Sequence, residues 1–181
     1  RPMRFVAFPS YLFFLTKALR EQGISLQLNR HSKVILGGGW KEFADAEIDR
    51  GLFYELIHDT LGIERNNCFE FYSAVEHPLP YLKCQNGHFH IPIYSRAIIR
   101  DIKTLLPLPM GKLGLLSFVS PLVSSMPLTS VLTDDLAALY DGATCGCGIP
   151  TPYFELRGRA GVREIRTCAA DALSLAGGGA L

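Results

Sequence analysis

No run of apolar residues in this chain reaches the roughly 18 to 20 that a membrane span requires. The stretch from Tyr11 to Leu19 comes near in character, but Thr16 and Lys17 interrupt it. Charge bias is missing as well: eighteen basic residues face seventeen acidic ones, a net charge of +1. That leaves no single-sign field to hold a phosphate backbone or an anionic bilayer, so nucleic acid and membrane are poor partners for it. The N-terminus lacks the charged, apolar and small-residue succession of a secretory signal. Five cysteines cannot all pair within one chain. Reduced thiols, and so the cytoplasm, are expected. No start methionine precedes Arg1, and the first residues already read as strand and then helix. The chain is expected to be a piece of a longer protein.

What is present supports a packed core: 181 residues, of which 48% are apolar, the size of one domain. Met3 to Phe8 reads as a strand, Pro9-Ser10 as a turn, and Tyr11 to Glu21 as an amphipathic helix closed at Gly23. A second strand, Val34 to Leu36, runs into Gly37-Gly38-Gly39, and Glu47 to Leu61 reads as a helix ending at Gly62. This alternation predicts an α/β layer. Beyond Asn66 the texture changes to short extended pieces, Cys68 to Tyr72, His88 to Tyr94, Ala97 to Ile102, Leu115 to Val119, Ser130 to Leu132 and Tyr153 to Arg157. Pro, Gly and Asn separate them, which predicts a β-rich subdomain or distorted barrel after the α/β layer. No internal repeat is evident. Residues 1–175 are expected to form the structured part, with 176–181, rich in glycine, as a flexible tail.

Five groups of residues could carry chemistry. Gly37, Gly38 and Gly39 remove every Cβ where a strand ends, so a flat ligand or a phosphate could approach the backbone, although tight turns also use such glycines. Tyr72 and Glu76 set an aromatic ring and a carboxylate at a strand end, suited to stacking on a base and holding Mg²⁺. Thr133-Asp134-Asp135 offers acceptors for ribose hydroxyls after an apolar pair. Gly158-Arg159-Ala160-Gly161 places a permanent cation in what reads as a glycine-flanked loop. Cys84, His88, His90, Cys145 and Cys147 are soft-metal ligands, and alternation puts His88 and His90 on one strand face. A structural tetrahedral Zn²⁺ site from Cys84, one of the histidines (His90 is chosen), Cys145 and Cys147 is expected. The remaining distinctive thiol is Cys168, which follows the basic Arg163 and Arg166; such neighbours favour the thiolate.

In their order along the chain these segments resemble the adenylate-forming superfamily. Within it they are similar to the acyl-protein synthetases of the bacterial bioluminescence fatty-acid reductase, with phenylacetate-CoA ligases as more distant relatives. The likeness runs from about Pro9 to Ala170 and includes Gly37-Gly38-Gly39-Trp40-Lys41, Tyr72-Ser73-Ala74-Val75-Glu76-His77-Pro78, His90-Ile91-Pro92, Ile99-Arg100-Asp101, Thr133-Asp134-Asp135, Cys145-Gly146-Cys147-Gly148, Gly158-Arg159-Ala160-Gly161 and Cys168-Ala169.

The resemblance implies an α/β fragment of the adenylate-forming large domain that uses ATP and Mg²⁺ to activate a fatty or other carboxylic acid. Gly37 to Gly39 would line the adenine and acyl pocket, and Tyr72 would stack on adenine. Glu76 would hold Mg²⁺, Asp135 the ribose hydroxyls, and Arg159 the ribose or phosphate side. Cys168 would receive the acyl group as a thioester for an acyl-protein or acyl-CoA reductase partner. The chain departs from the superfamily at Ser73 and Val75, where glycine and threonine are usual, so a hydroxyl contact to phosphate is lost there. The glycine- and serine-rich phosphate loop of full-length relatives is also missing, so these 181 residues alone are expected not to adenylate efficiently. Two other readings stand beside this one. The first is an acyl- or aryl-CoA ligase in which CoA takes the acyl group; the second is a non-catalytic, zinc-stabilised binding module.

Overall fold

Pro9 opens the first helix of the computed structural model, which describes residues 1–122 and 128–161. The proline ring fixes φ, and its missing N–H falls where a helix has no partner to offer one. Helix α1 therefore spans Pro9–Glu21 and takes Pro9-Ser10 into its first helical turn, where the sequence reading placed a turn ahead of the helix. The described chain divides into two units, Arg1–Phe69 and Glu70–Gly161.

In the first unit, strand β1 (Arg4–Ala7) pairs in parallel with β2 (Lys33–Gly37), from Arg4 opposite Lys33 to Ala7 opposite Leu36. Parallel neighbours need a crossover, and α1 supplies it. Helix α2 (Arg50–Leu61) begins later than the expected Glu47, because Asp49 caps it by accepting from the Gly51 and Leu52 amides at 2.7 and 3.2 Å. Its end is the expected one: Gly62 takes φ +67 and bonds back to the His58 carbonyl. Leu12, Val34, Leu36, Trp40, Phe53, Ile57 and Leu61 form the core of this unit.

The second unit is antiparallel. Strand β3 (Cys68–Ala74), whose first two residues belong to the first unit, and β4 (His77–Leu82) form a hairpin whose register shifts between Tyr72 and Ala74. Strands β5 (Phe89–His90), β6 (Arg96–Arg100), β7 (Leu113–Val119), β8 (Ser130–Tyr140) and β9 (Tyr153–Arg159) form a sheet in the order β5-β9-β8-β7-β6. It is an open sheet, one of the two β-rich forms expected. Two strands run further than the sequence suggested. Strand β8 continues through Thr133-Asp134-Asp135, because the Thr133 hydroxyl is satisfied inside the sheet by the Leu116 carbonyl at 2.8 Å while Asp134 faces solvent. Strand β9 continues through Gly158 and Arg159, so the expected glycine-flanked loop around Arg159 is strand at those two positions. Tyr72, Tyr81, Phe118 and Phe154 are the large aromatics of this core.

His77 is a buried titratable group of this core, beside Tyr72 and Tyr81. Its ring is fully buried and stacks on Phe118, 4.9 Å between centroids and 8° between planes. Ser95 Oγ donates to the Val119 carbonyl, which leaves it to accept from the Tyr81 hydroxyl at 2.6 Å. Tyr81 in turn accepts from His77 Nε2 at 2.7 Å, so the proton sits on Nε2 and the buried Nδ1 is a bare acceptor without a partner among the described residues. Burial holds the His77 pKa below its ordinary value. In the unfolded chain this imidazole takes up a proton below about pH 6.5, whereas the folded core resists it. Stability should therefore be intact above that pH and fall as the pH drops through it, with a slope of up to about 1.4 kcal/mol per pH unit. Denaturant unfolding of wild type and His77→Phe from pH 7.5 to 5 checks this. The variant should lose part of the acid slope, and identical slopes would contradict the assignment.

Candidate functional site

Asp135 and Arg159 face each other across β8 and β9. Arg159 Nε donates to Asp135 Oδ1 at 3.0 Å, and the Tyr72 hydroxyl donates to Asp135 Oδ2 at 2.6 Å. Burial first, and then the bond to Asp135, hold the Tyr72 phenol well above its ordinary pKa, so it remains a donor throughout the working range. The Asp135 amide donates to Thr133 Oγ1 at 3.3 Å, tying the carboxylate's own backbone to the sheet. The sheet register shifts between Leu136 and Ala137, and Gly158, opposite Leu136, adopts φ +132, a conformation other residues rarely take. Asp135 is 17% exposed and Arg159 46%, so a fixed carboxylate stands at the edge of solvent beside a more mobile cation. Each carboxylate oxygen has more than one acceptor direction, so capacity is left for two vicinal hydroxyls.

Tyr72 is placed differently from expectation. Its ring is 9% exposed and lies among Tyr81, Phe89, Phe118 and Phe154, with centroids 5.5 to 6.3 Å away. In this structure it is a core ring whose hydroxyl holds Asp135, and little of either face is open to a base. Sequence reasoning missed that hydroxyl role. Glu76 lies exposed in the two-residue turn between β3 and β4. Gly37 ends β2, Gly38 has φ +72, and a Cβ added at Gly39 would meet nothing within 4 Å. These glycines belong to the first unit and the Asp135 group to the second. Cys168 lies outside the described residues.

A second constellation lies at the far end of the same sheet. Cys84, His90, Cys145 and Cys147 bring their sulfur and nitrogen atoms within 4.8 Å of one another. Cys84 follows the β3-β4 hairpin, His90 is in β5, and Cys145 and Cys147 lie between β8 and β9 after a 3-10 turn, Gly142–Thr144. His88 and His90 do share a face, since both rings lie against Tyr153, at 4.3 and 5.5 Å. Burial pushes the Cys145 thiol up to about 11, with the neighbouring thiols of Cys147 and Cys84 adding to it. Burial also raises Cys84, but the backbone amides of His88 and Asn86, together with the Cys145 and Cys147 thiols, outweigh it and hold this thiol below its ordinary value.

The fold of the chain is that of adenylate-forming ligases. Solved relatives include a long-chain-fatty-acid-CoA ligase from Archaeoglobus fulgidus, with a TM-score of 0.61 and 11% identity over 87% of this chain and 34% of that one. A 2-hydroxyisobutyryl-CoA ligase gives 0.57 and 17% identity over 88% and 33%. In sequence, the model of the family described as Acyl-protein synthetase, LuxE, matches residues 1–176, and the chain belongs to that family. A long-chain-fatty-acid–luciferin-component ligase from Vibrio harveyi is 33% identical over 143 residues, 71% of this chain and 34% of that protein. The Aliivibrio fischeri protein of the same name is 27% identical over 168 residues, 89% of this chain and 42% of that one. A phenylacetate-coenzyme A ligase from Thermus thermophilus is 29% identical over 81% of this chain and 32% of its own length. The chain thus spans between about a third and two fifths of the relatives it matches.

Proposed function

We propose that the full-length protein activates a fatty carboxylate with ATP, forming an acyl-adenylate and pyrophosphate, and then passes the acyl group to a protein thiol. Family membership gives the reaction class, and the observation that carries the reading into this chain is the Asp135 carboxylate, fixed by Tyr72 and Arg159. Asp135 would accept from the ribose hydroxyls, and Arg159, half-exposed and permanently charged, would reach the ribose or phosphate side. Glu76, with its carboxylate in a solvent-facing turn, is suited to hold Mg²⁺, which would neutralise charge on the phosphates. Gly37 to Gly39 would line the adenine and acyl pocket, with Gly39 open to a ligand on the side where a Cβ would stand.

The chemistry balances in two steps. A carboxylate oxygen attacks the α-phosphorus of ATP, the bond to the β-phosphate oxygen breaks, and pyrophosphate leaves with its electron pair. A thiolate then attacks the acyl carbon, and AMP leaves as the carbonyl re-forms, giving a thioester. We assign the acceptor role to Cys168, with an acyl-protein or acyl-CoA reductase as the consumer of the thioester. The reducing cytoplasm suits this reading, since the acceptor must remain a thiol. Among the described residues no helix is long and apolar enough to cross a membrane.

The similarity to a phenylacetate-coenzyme A ligase favours one alternative, transfer to CoA in place of a protein thiol. Incubation of the full-length protein with ATP and radiolabelled fatty acid separates the two. Protein-bound label that hydroxylamine releases, and that Cys168→Ser loses while still forming acyl-adenylate, is the expected result. Label kept by Cys168→Ser would remove that residue as acceptor, and efficient transfer to CoA by the wild type would favour the ligase reading.

A further inference from the structure

The geometry points to a closed, structural Zn²⁺ site made by Cys84, His90, Cys145 and Cys147, with His88 as its positioning residue. This cluster is independent of the adenylation reading. Zinc with Zn–S near 2.3 Å and Zn–N near 2.0 Å sets the edges of its ligand tetrahedron at about 3.5 to 3.8 Å. The separations found are 3.6 Å between Cys84 and Cys145 Sγ, and 3.3 Å between Cys147 Sγ and His90 Nε2.

The imidazole is already set for coordination. His90 Nδ1 donates to the Thr151 carbonyl at 2.8 Å, which fixes the proton on Nδ1 and leaves the Nε2 lone pair aimed at the thiols. This is the outer-shell bond that metal-ligating histidines usually make.

Cys147 Sγ also accepts from the Ile149 amide at 3.5 Å, a contact that suits a thiolate. His88 Nδ1 lies 3.1 Å from Cys145 Sγ, while its Nε2 faces Glu155 Oε1 at 3.4 Å and its ring stacks on Tyr153. Glu155 and Tyr153 thus hold the His88 ring with Nδ1 against the Cys145 sulfur. Gly146 and Gly148, with φ +72 and +86, let a single intervening residue fold the two cysteines into a tight turn.

Four protein ligands leave no open position, so the ion would tie two segments together and would not bind substrate. Cys84 and Cys145 are separated by 61 residues, and the site fastens the β4-β5 connection to the β8-β9 connection. Three thiols and one imidazole fit zinc better than magnesium or calcium, which take oxygen ligands.

The test uses the full-length protein, expressed untagged with zinc in the medium and analysed by inductively coupled plasma mass spectrometry. About one zinc per chain is expected. Cys145→Ser and Cys147→Ser should lose most of it, while Cys68→Ser, which lies in the other structural unit, should keep it. If the serine variants do not fold, exchange of Co²⁺ into wild type reads the same site. Thiolate-to-cobalt charge-transfer bands and tetrahedral ligand-field bands are expected. His88→Phe keeps the stacking on Tyr153 and should weaken zinc affinity about 10- to 100-fold in a chelator competition, with full occupancy regained at high zinc. Absence of stoichiometric metal together with absence of cobalt bands would overturn the site, as would metal retained in both serine variants. A Cys84 to Cys145 disulfide in protein purified anaerobically would overturn it too. Unchanged affinity in His88→Phe would overturn the positioning role.

Discussion

Asp135→Asn in the full-length protein should lower kcat/KM for ATP by about 100-fold, with the fold intact. Asparagine keeps the shape and, with its amide oxygen toward Tyr72, still accepts from that hydroxyl, so the core loses no buried hydrogen bond. What it loses is the charge and, at the more exposed side, the bond from Arg159 Nε, which then meets the amide NH2. A hydrogen bond to a charged group is worth about 1.5 to 3 kcal/mol, and two ribose hydroxyls share this carboxylate in the proposed site. Loss of even part of that pair gives roughly 3 kcal/mol, or about two orders of magnitude. The neighbouring acid supplies the control. Asp134 projects from the opposite face of β8 into solvent, so Asp134→Asn should change kcat/KM by less than about threefold. Tyr72→Phe falls between, because it removes one of the two groups that hold Asp135 without touching its charge. Fatty-acid-dependent exchange of pyrophosphate into ATP reads all three. Equal losses in the Asp134 and Asp135 variants would contradict the geometry.

The second large effect is on stability. Gly142→Ala should destabilise the protein by about 3 kcal/mol, at the upper end of the usual cost of overpacking. An added Cβ would lie 2.3 Å from the Thr151 carbonyl oxygen and 2.4 Å from that of Pro150, and both are backbone atoms with no rotamer to move. Relief would require the Gly142–Thr144 turn to shift away from the 150–151 segment. Both neighbours of the thiol cluster depend on that contact: the Cys145 amide bonds to the Gly142 carbonyl at 3.1 Å, and the Thr151 carbonyl orients His90. The unfolding temperature should fall by roughly 6 °C or more, and zinc content should fall with it. Gly39→Ala is the control for glycine replacement as such, because a Cβ there meets nothing within 4 Å. It should shift stability by no more than about 0.5 kcal/mol.

The first unit was largely legible because local signals bound its elements: a glycine after α2, which takes the left-handed region, and the short apolar run Val34 to Leu36 ended by three glycines in and after β2. The misplaced boundaries came from Pro9 and Asp49, which act as helix starters and were read as a preceding turn and as helix interior. In the second unit, polarity misled. Thr133, Asp134 and Asp135 looked like the end of a strand, yet the Thr133 hydroxyl finds a carbonyl on β7, a partner 17 residues away that no local window contains. Gly158 looked like a loop because glycine weakens strands, whereas here it absorbs a register shift within one. The thiol and imidazole ligands could be picked out by residue type, and the alternation of His88 and His90 gave their common face. Their separate roles could not be read, because the Thr151 carbonyl and the Glu155 carboxylate that distinguish them come from distant segments. The Tyr72 ring illustrates the same limit: its place in the core follows from four aromatic neighbours, two of them on β7 and β9.

Acyl activation by the wild-type, full-length protein is decided by fatty-acid-dependent ATP–pyrophosphate exchange. Exchange should require both a fatty acid and Mg²⁺, should be greatly reduced in Asp135→Asn, and should not be supported by the 181 residues alone. Exchange that is absent from the full-length protein with every fatty acid tried, or that is undiminished when Asp135 is replaced, would contradict it.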